Sequence, residues 1–545
     1  MKTIDALTLR NAFISGERRL DENKEIVNSL NVFPVPDGDT GINMSLTMKS
    51  AINQVKSVQD ISVYNIAKAA SDGALMGARG NSGVILSQLL RGFSNALKEV
   101  DEIGVAELKD AIVSSYKLAY KAVMKPTEGT ILTVARCMGE FAQDNYMDYE
   151  KVDTFLKDII KEGRIALENT PNLLPPLKEA GVVDSGGRGL LYVYEGALNS
   201  ENIDKTEVDF GIIADAIVTS HKQMADEDIK FTYCTEFMIM VSDYDHIKFR
   251  DKIEKYGDSI IVVAGDDLIK THIHTNHPGT IFEMALEIGP LKDIKVENMK
   301  LQHSHLIHTD KQVQEAKEKE KQQQNLKEYG FVAVSKGEGF DDIFKEGFGV
   351  DELIVGGQTM NPSTEDLLSK IEKVNAKTVF LFPNNKNIIL AAQTAKEISK
   401  KNVIIIKTTS IPQAFSALIE FDPDLSAEEN EKLMLDAIEK TKVCELTYAV
   451  RDTKMDGLDI KKDDIIGLVN GKLKSNGRNM IDVVLDVLSN AVDKDSSMIT
   501  IYYGEDVTKE EANKIFKKLE EEYFDLDIDL QYGGQSLYYY IFSVE

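Results

Sequence analysis

From residue 8 to about residue 200 the apolar residues recur at helical spacing, and no stretch reads as a convincing β-strand. The runs Val84-Ile-Leu-Ser-Gln-Leu-Leu-Arg-Gly-Phe93 and Ile112-Val-Ser-Ser-Tyr-Lys-Leu-Ala-Tyr120 set the rhythm. A segment of this kind buries its apolar stripes only by packing helix on helix. Its chemistry must then sit in the breaks between helices, which are rich in Gly and in several cases carry Asn, Asp or Ser.

The sharpest break is Asn31-Val-Phe-Pro-Val-Pro-Asp37-Gly38-Asp39-Thr40-Gly41, with a helix predicted from about Asn43. Pro34 and Pro36 fix the backbone, and Gly38 and Gly41 let it bend sharply. Asp37 and Asp39 stand one residue apart, and neighbouring carboxylates repel each other unless a cation sits between them. Oxygen donors with few other ligands suit Mg²⁺, which keeps waters and substrate phosphates in its shell. The alternative is an Asx-rich turn between two helices.

Three further breaks carry Gly. Met76-Gly-Ala-Arg-Gly80-Asn81-Ser82-Gly83 offers backbone amides to phosphate oxygens, with a helix N-terminus following near Ser82. It is no P-loop, because Gly-Lys-Ser/Thr is absent and a helix precedes it; by itself it also fits a tight helix–helix turn. Lys125-Pro-Thr127-Glu-Gly129-Thr130 and Gly181-Val-Val-Asp184-Ser-Gly-Gly-Arg-Gly189 each precede a helix. Four such helix starts converging at one end of a bundle, together with the carboxylates, would make a nucleotide–magnesium site without a P-loop.

The rest of the chain changes character. At 545 residues it exceeds one core, and about three or four domains are expected. Residues 210–310 carry strands, among them Thr271-His-Ile-His-Thr275, and every histidine of the protein lies between His221 and His308. Residues 311–328 form a polar Lys/Glu/Gln run that reads as a linker or exposed helix. From residue 329 short apolar strands alternate with polar loops and helical patterns, as in an α/β domain with a parallel sheet. Capping boxes at Ser363/Asp366 and Ser426/Glu429 support the helices there, and the last hundred residues are expected to add a second lobe.

The net charge of −27 argues against nucleic acid as a partner and disfavours docking on an anionic membrane. No apolar run reaches the length of an integral membrane segment, and residues 1–19 lack the apolar core of a signal peptide. Three widely spaced cysteines point to a reducing, cytoplasmic setting.

The four motifs, in this order, resemble the ATP-binding L-subunit of dihydroxyacetone kinase and, more closely, the ATP-binding subunit of bacterial fatty acid kinase. The resemblance covers the whole chain: a dihydroxyacetone-kinase-L-like domain over residues 1–200, a middle domain over 210–310, a linker, and a DegV-like domain over 329–545. It implies an all-α barrel of antiparallel helices holding ATP and Mg²⁺ at one end, an α/β middle domain and an α/β C-terminal domain with a parallel sheet. Asp37 and Asp39 would be the catalytic metal ligands, with Asn31 where the ketone kinases have a further aspartate. Asn43, Gly80, Asn81, Ser82 and Gly83 would contact phosphates. Thr127, Gly129, Thr130 and Asp184 would lie near the nucleotide, Asp184 at the base or ribose.

The resemblance also implies a partner. A separate DegV-type protein would deliver a fatty acid, whose carboxylate becomes an acyl phosphate, and the kinase subunit would be a homodimer. A carboxylate is ionised at neutral pH and needs no general base, which agrees with the absence of histidine from the first 200 residues. Two rivals stand beside this reading: a small-ketone or alcohol kinase subunit, and a non-enzymatic nucleotide-sensing scaffold. In the middle domain, His272 and His274 alternate on one strand and Cys234 lies on a neighbouring one, a set that suits Zn²⁺ with a fourth ligand from water or from elsewhere, His303 and His305 being the candidates. The alternative is a polar, partner-binding sheet face. In the C-terminal domain, Ser363 and Thr364 are expected either to contact a carboxylate or simply to cap a helix.

Overall fold

Asp5 opens the first helix, its carboxylate accepting the backbone N–H of Thr8 at 2.8 Å. The chain then forms α1 (Ala6–Glu22), α2 (Lys24–Leu30), α3 (Thr40–Lys56), α4 (Val63–Gly77), α5 (Gly80–Asn95), α6 (Val105–Ala122), α7 (Ile131–Asn145), α8 (Val152–Leu173), α9 (Pro175–Ala180) and α10 (Ser185–Leu198). In this computed structural model the described residues are all but 32–37, 124–125, 201–230, 242–243, 265–267, 299–325, 357–360, 450–451 and 456–457.

Each long helix buries one stripe. On α3 it is Met44, Met48, Ala51, Ile52 and Val55; on α8 it includes Phe155, Leu156, Ile159 and Ile160. The helices pack in the order α1, α3, α4, α5, α6, α7, α8, α10 and back to α1, which closes a ring. An apolar cavity of about 550 Å³ lies beside Phe13, Leu86, Leu90 and Phe93.

Residues 204–326 form a separate compact unit. Its sheet has the order β2–β3–β1–β4, all antiparallel, from β1 (Tyr233–Met240), β2 (Gly257–Ala264), β3 (Leu268–Thr275) and β4 (Leu291–Asn298). Helices His246–Ile253 and Pro278–Leu286 cover one face, where Phe237, Ile239, Ile269 and Ile273 pack with Phe249, Ile253, Ile281 and Ala285.

The C-terminal region belongs to one compact unit with the helical ring. Its first sheet is fully parallel, in the order β6–β5–β7–β8, from β5 (Lys327–Ser335), β6 (Glu352–Val355), β7 (Ala376–Phe382) and β8 (Asn402–Ile405). Alternate residues feed opposite cores. Phe380 and Phe382 enter one, Val379 and Leu381 the other. The second of these cores also takes in Ala78 and Val84 from the helical ring.

The last hundred residues build a sheet of their own rather than extending the parallel one. Its order is β13–β12–β9–β16–β14–β15, from β9 (Lys442–Tyr448), β12 (Ile465–Val469), β13 (Lys472–Gly477), β14 (Met498–Tyr503), β15 (Asp527–Tyr532) and β16 (Tyr540–Val544). Only β14 and β15 pair in parallel there. A two-stranded ribbon, β10 (Thr453–Met455) with β11 (Leu458–Ile460), stands beside it. The capping boxes at Ser363 and Ser426 form as expected, each hydroxyl accepting the amide three residues on. Ser363 is therefore a helix cap, bonded to Asp366.

Candidate functional site

α3 is not capped by its own N-cap residue, since Asp39 makes no capping hydrogen bond. Asn28 on α2 does that work: its Oδ1 accepts the N–H of Gly41 at 2.8 Å and of Ile42 at 3.2 Å. The Asp39 carboxylate is thereby left for other contacts. It is only 7 % exposed. Burial raises its pKa, opposed by hydrogen bonds from Asn43 and Asn361 and by the charge of Lys336.

Asn43, one turn along α3, is 1 % exposed, and its Oδ1 finds no hydrogen-bond partner. A buried acceptor of this kind beside a carboxylate calls for a cation, a ligand donor or a bound water. The sequence reading sets Asn43 against phosphate, but a phosphate oxygen does not satisfy an acceptor and a cation does. Mg²⁺ fits this donor set: Asp39 and Asn43, with Asn31 on the same cavity, would hold it, and bound there it would neutralise phosphate charge.

Four helix starts meet at this point. A cavity of about 250 Å³ is lined by Asn31 at the end of α2, Asp39, Thr40 and Asn43 at α3, Asn81 and Ser82 at α5, Ile131 at α7, and Asp184, Ser185 and Gly186 at α10. Asp184 ties two of these starts together. It caps α10 by accepting the N–H of Gly187 at 2.7 Å, and it also accepts from Ile131 at the start of α7. Burial pushes its pKa up to about 6 against these two bonds. The Ser185 hydroxyl donates to Thr40 Oγ1 at 3.3 Å, joining α10 to α3.

Other predicted residues lie around the cavity without lining it. Gly80 has φ +58°, and a Cβ there would stand 2.7 Å from Asn43 Nδ2. At Gly83 a Cβ would stand 2.4 Å from Thr47 Oγ1, so this position is a close helix contact. Thr127, Gly129 and Thr130 form the turn into α7, with Thr130 Oγ1 donating to the carbonyl of Thr127 at 2.7 Å. Asp37 lies outside the described residues.

The opposite wall comes from the C-terminal domain. Asn361 Nδ2 donates to Asp39 Oδ2 at 2.6 Å. Arg79 at the start of α5 donates to the Asn361 carbonyl at 2.8 Å and pairs with Asp366 at 3.4 Å. The backbone N–H of Thr364 donates to the Ala78 carbonyl at 3.1 Å, and Asn81 Nδ2 donates to Asn387 Oδ1 at 3.1 Å. Lys386 and Asn387 line the cavity itself. On this wall, sequence reasoning reached only Ser363 and Thr364. The missed signal was position: residues 383–387 directly follow β7, where parallel sheets place their ligands.

Behind this wall lies Glu445 on β9, its pKa pushed up to about 7 by burial and pulled back by the charges of Lys386 and Lys336. Folding thus raises this carboxyl above its ordinary 4.5, so the unfolded chain releases the proton first as pH rises. Stability present below pH 4.5 is lost between there and pH 7. Glu445→Gln is expected to flatten that slope and to stabilise the protein at pH 8 by on the order of 2 kcal/mol. Urea titrations at pH 5 and pH 8 check it.

In the middle unit the backbone register pairs Cys234 with His274 and Glu236 with His272. These positions alternate with Phe237, Ile239 and Ile273, which enter the core. His274 Nδ1 lies 3.7 Å from Asp258. The side chains of Cys234 and His272, and residues 303 and 305, fall outside what is described. Among the described residues no group of three His, Cys, Asp or Glu is placed to hold a metal.

A DAK2 domain matches residues 34–199. The middle domain of the FakA-like fatty acid kinase family matches residues 230–306, and the C-terminal domain of the same family matches 330–545. Protein YloV of Bacillus subtilis is 42% identical over 557 residues, covering 100% of both chains. The chain belongs to the FakA-like fatty acid kinase family. An uncharacterized protein of Staphylococcus aureus is 41% identical over 541 residues, covering 98% of this chain and 97% of its own. Among solved structures, the Streptococcus pneumoniae fatty acid kinase B3 protein loaded with linoleic acid aligns at 15% identity. It covers 40% of this chain and 99% of its own, with a TM-score of 0.28. Among the described residues, no helix of this FakA-like chain is long and apolar enough to cross a membrane.

Proposed function

We propose that this chain is the ATP-binding, catalytic subunit of a two-component fatty acid kinase. The observation that carries the reading is the unpartnered Asn43 Oδ1 beside Asp39, where four helix N-termini meet. Helix starts supply backbone N–H groups and positive potential to phosphate. Asp39, Asn43 and Asn31, with Asp37 from the sequence motif, would hold Mg²⁺.

A carboxylate oxygen attacks the γ-phosphorus of ATP. The new P–O bond gives an acyl phosphate while the bond to the ADP oxygen breaks. No proton must be removed, in keeping with a helical domain that lacks histidine over its first 200 residues. The fatty acid would arrive on a separate DegV-type binding protein, and the acyl phosphate would feed phospholipid synthesis in the cytoplasm. A homodimer is part of the proposal, as are domain limits near residues 200, 210, 310 and 329. A Zn²⁺ at Cys234, His272 and His274 is carried by register alone, and phosphoryl transfer does not depend on it.

The test mixes the purified chain with ATP, Mg²⁺ and either a fatty-acid-loaded DegV-type protein or dihydroxyacetone. Hydroxamate formation with the loaded protein alone is the expected result. Phosphorylation of dihydroxyacetone would move the assignment to a ketone kinase subunit, and nucleotide binding without turnover to a sensing scaffold.

A further inference from the structure

The helical wall of the cavity contains two carboxylates, Asp39 and Asp184, and no cation among its described lining residues. Arg79, close by, is turned away to the Asn361 carbonyl and Asp366. A nucleotide triphosphate brings several negative charges, and a site built only of amides, hydroxyls and carboxylates would leave much of that charge to the metal. The one cation lining the cavity among the described residues is Lys386, on the loop after β7.

That loop is held in place. Asn384 has φ +55°, a left-handed conformation that asparagine accepts more readily than most residues. Its Nδ2 donates to the Val334 carbonyl at 2.7 Å, and its Oδ1 accepts from Thr408 Oγ1 at 2.6 Å. Asn385 Oδ1 accepts the N–H of Asn387 at 2.8 Å, and Asn387 is fastened across to Asn81 at 3.1 Å. The loop is therefore gripped by the parallel sheet on one side and by the start of α5 on the other.

Its position has a topological cause. In the order β6–β5–β7–β8, the chain leaves β5 toward β6 and returns on the other side to β7. The loops after β5 and β7 diverge and open a crevice at the carboxyl ends of the strands, where such sheets receive anionic ligands. Lys336 follows β5 and Lys386 follows β7, and both act electrostatically on Glu445.

We propose that Lys386 of the C-terminal domain is a phosphate-binding residue of the nucleotide site, so that the site is assembled from both domains. The inference rests on the ATP reading given above. Lys386 would meet the outer phosphates, opposite the helix starts that hold the inner ones. It leaves the base and ribose to other residues.

The experiment measures MgATP and AMP binding by calorimetry to the full-length wild type, Lys386→Ala, Lys386→Arg and the exposed control Lys396→Ala. Lys386→Ala is expected to weaken MgATP by about tenfold while AMP stays within about twofold. Lys386→Arg should recover most of the loss, because it restores the charge, and Lys396→Ala should match wild type. Equal MgATP affinity in wild type and Lys386→Ala would overturn the inference while leaving the ATP reading intact. A parallel loss of AMP would overturn it too, since that reports a damaged site rather than a missing phosphate contact. Failure of the wild type to bind MgATP would remove the ATP reading and the inference together.

Discussion

Asp39→Ala is expected to abolish acyl-phosphate formation, by roughly three orders of magnitude or more, while the protein stays folded. The two halves of this expectation come from one set of contacts. Asp39 is nearly buried and makes no capping bond to α3, whose first amides are held by Asn28. The helix start therefore does not depend on the Asp39 side chain. Burial raises the carboxyl's pKa, so its charge is a burden on the folded state rather than a support. Its removal leaves Asn361 Nδ2 without its partner but takes away the buried charge. Thermal melting within a few degrees of wild type, with no hydroxamate above background, is the expected pair of readings. Retained turnover would remove Asp39 from the metal site.

Gly41→Ala is expected to do the reverse and damage fold and site together. A Cβ at this position would stand 2.1 Å from the Lys24 carbonyl oxygen and 2.9 Å from Asn28 Oδ1. The first neighbour is backbone of α2 and cannot swing aside. To admit one methyl group, α2 must separate from α3, which also pulls Asn28 away from the two amides it caps. Overpacking and loss of a cap together amount to about 3 kcal/mol or more. The displaced start of α3 carries Asp39 and Asn43 with it, so MgATP affinity should fall as well. Denaturant unfolding and calorimetry read the two effects separately. A variant with wild-type stability would contradict the close packing of α2 on α3.

The site was legible wherever the motif lay at a helix start. Asp39, Asn43, Asn81, Ser82 and Asp184 all line the cavity or its edges, because a Gly or Asp before a helical run marks a break whose amides must be satisfied. The roles were less legible than the positions. Asp184 binds two backbone amides, a job for which a carboxylate at an N-cap is an ordinary choice. Thr127, Gly129 and Thr130 share the same signature, and they form the turn into α7 beside the cavity without lining it. The opposite wall was not legible at all beyond Ser363 and Thr364. Lys386 and Asn387 sit in a run of Asn and Lys after a strand, which reads as solvated loop, and nothing local couples them to residues some three hundred positions earlier. The fold followed a similar division. Strand and helix periods announced the parallel sheet, whereas the order of the final six-stranded sheet depends on long-range pairing that periodicity does not encode.

The bond from Asn361 to Asp39 joins two equilibria. A cation on the Asp39 carboxylate shares that group with the Asn361 amide, which takes one of its about four lone pairs. Free energies around such a cycle are reciprocal. By whatever factor the seated C-terminal domain changes the affinity for that cation, the cation changes the affinity of the seat by the same factor. Filling the pocket and setting the strength of the joint are then one thermodynamic event seen from two ends.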